Sequence, residues 1–60
     1  MRLVRYAARI EDADGIEVYT RLTIKEAYTI ADIARGDGKT AVVYQMYGEN
    51  GEVKREVIEQ

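Results

Sequence analysis

Arginine and tyrosine, the residue types enriched where surfaces recognise one another, are the side chains of this sequence that stand out first. Six of the nine basic residues are arginine and five residues are tyrosine, while serine, cysteine and histidine are absent. Without those three types no serine or thiol nucleophile can be paired with an imidazole base. Carboxylates are plentiful, eleven in all, but their spacing does not converge on one substrate atom. Asp12, Asp14 and Asp37 fall in segments that read as turns, where aspartate bonds its own backbone. Glu56 and Glu59 are three apart on an expected strand and so point to opposite faces. The sequence predicts no enzyme, no cofactor and, lacking both Cys and His, no zinc-type metal site.

The elements that must position these side chains come from a short chain. It has 60 residues, 47% of them apolar and 33% charged, with a net charge of −2. That is too apolar for disorder, and one domain, 1–60, holds the only core. A domain of this size buries only about 60% of its unfolded surface, and neither a disulfide nor zinc can staple it. Either local signals specify the fold unusually well, or a partner completes the core. No apolar run nears the roughly 20 residues of a membrane span. Met1-Arg2-Leu3 leads straight into patterned sequence with no signal-peptide core. The expectation is a cytoplasmic protein with no membrane partner.

Four segments alternate with period two, near 2–11, 16–22, 40–47 and 52–59, and one, 24–35, has helical period. Thr23 and Glu26 form a capping box at the helix start. Ala27, Ile30, Ala31 and Ala34 fall on one side, small enough for the helix to lie close to a sheet. Gly36 ends it, and Asp37-Gly38 continues the turn. Asn50-Gly51 suits a two-residue type I′ turn that pairs Tyr44 with Val57, Met46 with Arg55 and Gly48 with Val53. Val42, Tyr44, Met46, Val53 and Val57 then share a face, expected to be the one under the helix. For the first hairpin, a two-residue Asp14-Gly15 turn would set Ile10 against Tyr19 and mix the faces. A three-residue loop, Ala13-Asp14-Gly15, instead pairs Ile10 with Val18, Ala8 with Thr20 and Tyr6 with Leu22. Ile16, Val18 and Leu22 then join the covered face. The fold class is α+β: a ββαββ chain, its four-stranded antiparallel sheet in the order 2-1-3-4, with one helix on one face. The charged fourth strand lies on an edge, where charge discourages aggregation.

By these registers the uncovered face carries Leu3, Arg5, Ala7, Arg9, Glu11, Glu17, Tyr19 and Arg21 from the first hairpin. The second hairpin adds Val43, Gln45, Tyr47, Lys54, Glu56 and Ile58. Arg5, Arg9, Tyr19, Arg21 and Tyr47 are the expected partner-binding anchors, since Tyr and Arg dominate interface hot spots. Leu3, Val43 and Ile58 would form an apolar patch suited to a second copy of the chain. The competing reading is a solvated face on which Arg9 pairs with Glu11 or Glu17. A nucleic-acid platform would stack bases on Tyr19 and Tyr47 and bind phosphates with Arg5, Arg9 and Arg21, but Glu11, Glu17 and Glu56 would repel the same backbone. A smaller surface on the helix, Lys25, Thr29, Asp32 and Ile33, ranks below the sheet. Gly38-Lys39-Thr40 follows a helix rather than opening one, which inverts the geometry of a phosphate-binding loop. Arg35-Gly36-Asp37 spells an adhesion tripeptide but sits where a helix cap and turn belong.

The segments Leu22-Thr23-Ile24-Lys25-Glu26-Ala27, Ile30-Ala31, Gly38-Lys39-Thr40-Ala41-Val42-Val43 and Gly48-Glu49-Asn50-Gly51 resemble, in layout, small phage-encoded ββαββ accessory proteins. Some of these are anti-CRISPR or other anti-defence inhibitors that bind a host complex without chemistry. The resemblance spans nearly the whole chain, its motifs are a cap, a small-residue helix face and a tight turn, and it carries over no functional residue. It implies a viral protein acting as a stoichiometric inhibitor in the host cytoplasm, with a host complex as protein partner. The chain departs from that group in lacking a Lys-rich or strongly acidic surface. A homodimeric structural module and a nucleic-acid platform are the alternatives. A designed origin fits less well with Tyr28, Thr29 and Asp32 in the helix, where stronger helix formers would be chosen.

Overall fold

A computed structural model describes residues 4–60 of the chain. In order, its elements are β1 (Val4–Asp12), β2 (Gly15–Leu22), α1 (Ile24–Gly36), β3 (Thr40–Glu49) and β4 (Glu52–Glu59). The four strands form one antiparallel sheet in the order β2-β1-β3-β4. The helix lies over β1, β3 and part of β2.

Thr23 starts the helix by the reciprocal bonding expected of its spacing to Glu26. The Thr23 hydroxyl accepts from the Glu26 amide at 3.2 Å, and the Glu26 carboxylate accepts from the Thr23 amide at 2.9 Å. Two donors that the first helical turn leaves without partners are thereby satisfied. Ala27, Ala31 and Ala34 form the buried stripe. The helix runs through Gly36 to a cap at Asp37, so the left-handed residue is Gly38 (φ 81°) rather than Gly36. The Gly38 amide donates to the Arg35 carbonyl and the Lys39 amide to the Ala34 carbonyl, both at 3.0 Å. These paired bonds close the last turn. Only 37–39 separate helix from strand, and an ion pair from Lys39 to Asp12 (3.5 Å) anchors the connection.

The second hairpin has the expected register, with Tyr44 opposite Val57, Met46 opposite Arg55 and Gly48 opposite Val53. Asn50 (φ 52°) and Gly51 (φ 79°) both take the left-handed backbone that a type I′ turn demands. The first hairpin corrects the expectation. Its turn has two residues, Ala13 and Asp14, and Asp12 pairs with Gly15. The Asp14 amide donates to the Asp12 carboxylate at 2.8 Å, so the aspartate side chain builds the turn. Ile10 consequently faces Glu17 rather than Val18, and Ala8 faces Tyr19 rather than Thr20. A register irregularity between Tyr6 and Ala8 restores the expected Tyr6–Leu22 pair, with Arg21 left-handed at φ 58°. Because side chains alternate, a one-residue shift exchanges the two faces of β2 up to that bulge.

A larger exchange occurs in β3 and β4. Pairing of Ile10 with Ala41 and Ala8 with Val43 places Ala41 and Val43 on the same face as Ile10. Ile10, Ala27, Ala31, Ala34, Ala41 and Val43 form the core cluster, with Tyr6, Leu22, Tyr28, Ile30 and Ile58 packed around it. Val42, Tyr44, Met46, Val53 and Val57 do share a face, but it is the one the helix leaves uncovered. Two physical reasons account for this. Close approach of an alanine stripe to the sheet leaves room for Ala and Val rather than Tyr and Met. The short connection after the helix also sets the phase of β3, so that Ala41 is the first residue to point inward. Arg35 clamps that corner, donating to the Ala41 carbonyl at 2.9 Å and to the Glu59 carboxylate.

Candidate functional site: the uncovered face of the sheet

Strand alternation, fixed by the core cluster on one side, assigns the other side residue by residue. β1 contributes Arg5, Ala7, Arg9 and Glu11; β3 contributes Val42, Tyr44 and Met46; β4 contributes Val53, Arg55 and Val57; β2 contributes Ile16 and Val18. The rim is open to solvent: Ile16 is 54% exposed, Val18 58%, Val57 47% and Val53 77%. The centre is low and packed, with Val42, Tyr44 and Met46 half-buried. Ala7 is 3% exposed and outside the core cluster, held beside Tyr44 by the β1–β3 register. The Arg55 guanidinium lies over the Tyr44 ring, 5.4 Å from its centroid, a cation–π contact that keeps an arginine flat on the apolar surface. Arg9 pairs with Glu11 at 3.3 Å. At one end a shallow depression of about 350 Å³ is lined by Arg5, Thr20, Arg21, Met46, Tyr47, Gly48 and Val53.

The structure divides the five expected anchors. Arg5 and Arg9 lie on the uncovered face, and Arg21 borders it from the bulge, sharing the depression with Arg5. Tyr19 and Tyr47 lie on the helix side. Tyr19 lines a hollow with Ile30, Ile33 and Ala34, and its hydroxyl donates to Glu17. Tyr47 lines a polar hollow with Val4, Gln45, Glu49 and Glu56. The expected apolar patch is not on this face either: Val43 is fully buried in the core and Ile58 packs against it. Leu3 lies outside the described residues. Glu17, Gln45, Lys54 and Glu56, also expected on the uncovered face, turn to the helix side with Val43. A register irregularity in β4 brings Glu59 opposite Val43, on the same side as Glu56, where Arg35 holds it.

The residues missed as site candidates are Ile16, Val18, Val42, Tyr44, Met46, Val53, Arg55 and Val57. One signal pointed to them. Ala41 to Tyr47 is apolar at every position but Gln45, and a strand apolar on both faces reads as covered on both.

Among the described residues three side chains titrate away from their ordinary values, all off the uncovered face. The Asp14 amide, and after it the Lys39 ammonium, hold the Asp12 carboxyl below the usual range. The Thr23 amide does the same for Glu26. The bond to Glu17 pushes the Tyr19 phenol up. Among the described residues no group of three or more His, Cys, Asp or Glu is placed to hold a metal ion. No helix of the described residues is long and apolar enough to cross a membrane. What the uncovered face can offer is an apolar surface with guanidinium groups interspersed in it. No family model, curated protein or solved structure matches the chain.

Proposed function

We propose that this chain is a non-catalytic protein-binding module that acts by stoichiometric association through the uncovered face of its sheet. The observation that carries the reading is β3, apolar on both faces with a helix over only one of them. Full burial of a Val or Ile side chain contributes about 1.5–3 kcal/mol. Association costs about 4–15 kcal/mol of lost freedom, so several of these side chains must be covered together, as one flat sheet presents them. The finer reading, a phage-derived inhibitor of a host defence complex in the host cytoplasm, is supported by the layout resemblance. A second copy is the alternative occupant. It is favoured by the small core, in which Val43 is the largest fully buried side chain.

Affinity capture from a candidate host tests the reading. The Tyr44→Ala, Met46→Ala double variant should lose the captured partner, with at least ~30-fold weaker binding, since hot-spot truncation costs ~2 kcal/mol or more. Tyr19→Ala should retain it. The reverse pattern would move the working surface to the helix side.

A further inference from the structure

We infer that the partner of this face is acidic: a protein surface on which apolar side chains are flanked by carboxylates. The inference rests on the proposed use of the uncovered face and adds the chemistry of what covers it. The argument is one of charge segregation. Of eleven carboxylates in the chain, the strand registers place only Glu11 on the uncovered face, where Arg9 takes it. Arg5, Arg21 and Arg55 lie on or beside that face and make no ion pair with a described residue. The helix side, the turns and the helix hold the other ten carboxylates against Lys25, Arg35, Lys39 and Lys54. A chain of net charge −2 thus presents its uncovered face as a positive one. Arginines set among apolar side chains, Arg9 between Val18 and Val42 and Arg55 over Tyr44, select a partner of the opposite sign.

The other occupants fit less well. Two copies face to face would set four arginines of one against four of the other, with one glutamate each to offset them. Nucleic acid would use the arginines but leave Ile16, Val18 and Val53 without counterparts, and the ring of Tyr44, the face's one tyrosine, is occupied by Arg55. A lipid surface favours aromatic side chains that project to the headgroup level, whereas Ala7 and Val42 lie low in the sheet.

Methyl-resolved NMR of the intact chain tests this, with short synthetic peptides repeating Leu-X-Gly-X, where X is Glu, Lys or Ser. The Glu peptide should saturably shift the methyls of Val18, Val42 and Val57 and leave Val43 unmoved. It should bind at least ~10-fold more tightly than the Ser peptide at low salt, with the gap closing to within about threefold near 0.5 M salt. The Lys peptide should bind most weakly. Arg5→Glu combined with Arg55→Glu should abolish the order, the Val43 methyl reporting that the fold is intact. Equal binding of all three peptides to these methyls would overturn the acidic partner while leaving the face as the site. No saturable shift with the Glu peptide would also overturn it. So would tighter binding of oligothymidylate or of phosphatidylglycerol vesicles, or shifts of the same methyls with the concentration of the free protein.

Discussion

Along β3, neighbouring residues meet different surroundings. Ala41 and Val43 lie against the helix alanines, while Val42, Tyr44 and Met46 point the other way, where none of the described elements covers them. Within β3 the residues under the helix alanines, Ala41 and Val43, are smaller than Tyr44 and Met46 on the other side. Small residues let the helix come close, so dispersion contacts are dense even though little apolar area is buried per residue. The uncovered side holds its apolar area in reserve. The core cluster and the uncovered apolar face are thus separated by the thickness of one sheet.

The largest test of that separation compares two valines. Val43→Ala should cost about 2 kcal/mol, by lost burial and the cavity left behind. Val53→Ala, at 77% exposure, should cost less than about 0.5 kcal/mol. Urea denaturation followed by circular dichroism reads both, and equal losses would mean that the faces are wrongly assigned. A domain of this size has only about 3–9 kcal/mol in total, so the first change should lower the midpoint visibly.

A smaller effect tests the helix start. Thr23→Ala should cost about 1 kcal/mol, the usual worth of an N-cap. Its partner Glu26 adds a pH signature. The folded carboxyl lies below its unfolded value because it accepts the Thr23 amide bond. Its contribution is therefore present above the usual carboxylate range, around pH 4, and is lost as pH falls through the folded value. Asp12, held down chiefly by the Asp14 amide, adds a contribution of the same sign. Glu26→Gln should flatten the fall of the denaturation midpoint between about pH 5 and 3. An unchanged slope would remove Glu26 from the account.

The smallest effect concerns the bulge that corrects the register of β2. Arg21 holds a left-handed backbone at φ 58°, which costs a non-glycine residue about 1 kcal/mol. Arg21→Gly should stabilise by about 0.5 kcal/mol after the greater entropy loss of glycine is counted. A loss on this substitution would show that the side chain contributes more to the fold than its backbone strain removes.

Most signals that depend on near neighbours were legible. The Thr23–Glu26 box, the alanine stripe, the Asn50-Gly51 turn with its pairs, and the strand order can all be read from spacing. The first hairpin was not, because Asp12 can cap the turn through its side chain, and that bond competes with the glycine-centred loop that Asp14-Gly15 suggests. The site was half legible. Arg5 and Arg9 follow from the alternation of β1, where charge alone picks the outward side. Tyr44 and Met46 did not follow, because in β3 both alternating sets are apolar and hydrophobicity cannot choose between them.

By itself, then, the sequence determined the elements, their order and one hairpin register, and its lack of serine, cysteine and histidine excluded a nucleophile–imidazole pair. These depend on residue type and on bonds between near neighbours. Which face of β3 the helix covers was decided only in the tertiary structure. That choice turns on the phase set by the 37–39 connection and on the room left beneath Ala27, Ala31 and Ala34. Neither is a property of any one segment. The same choice buries Val43 and leaves Tyr44 and Met46 on the uncovered face.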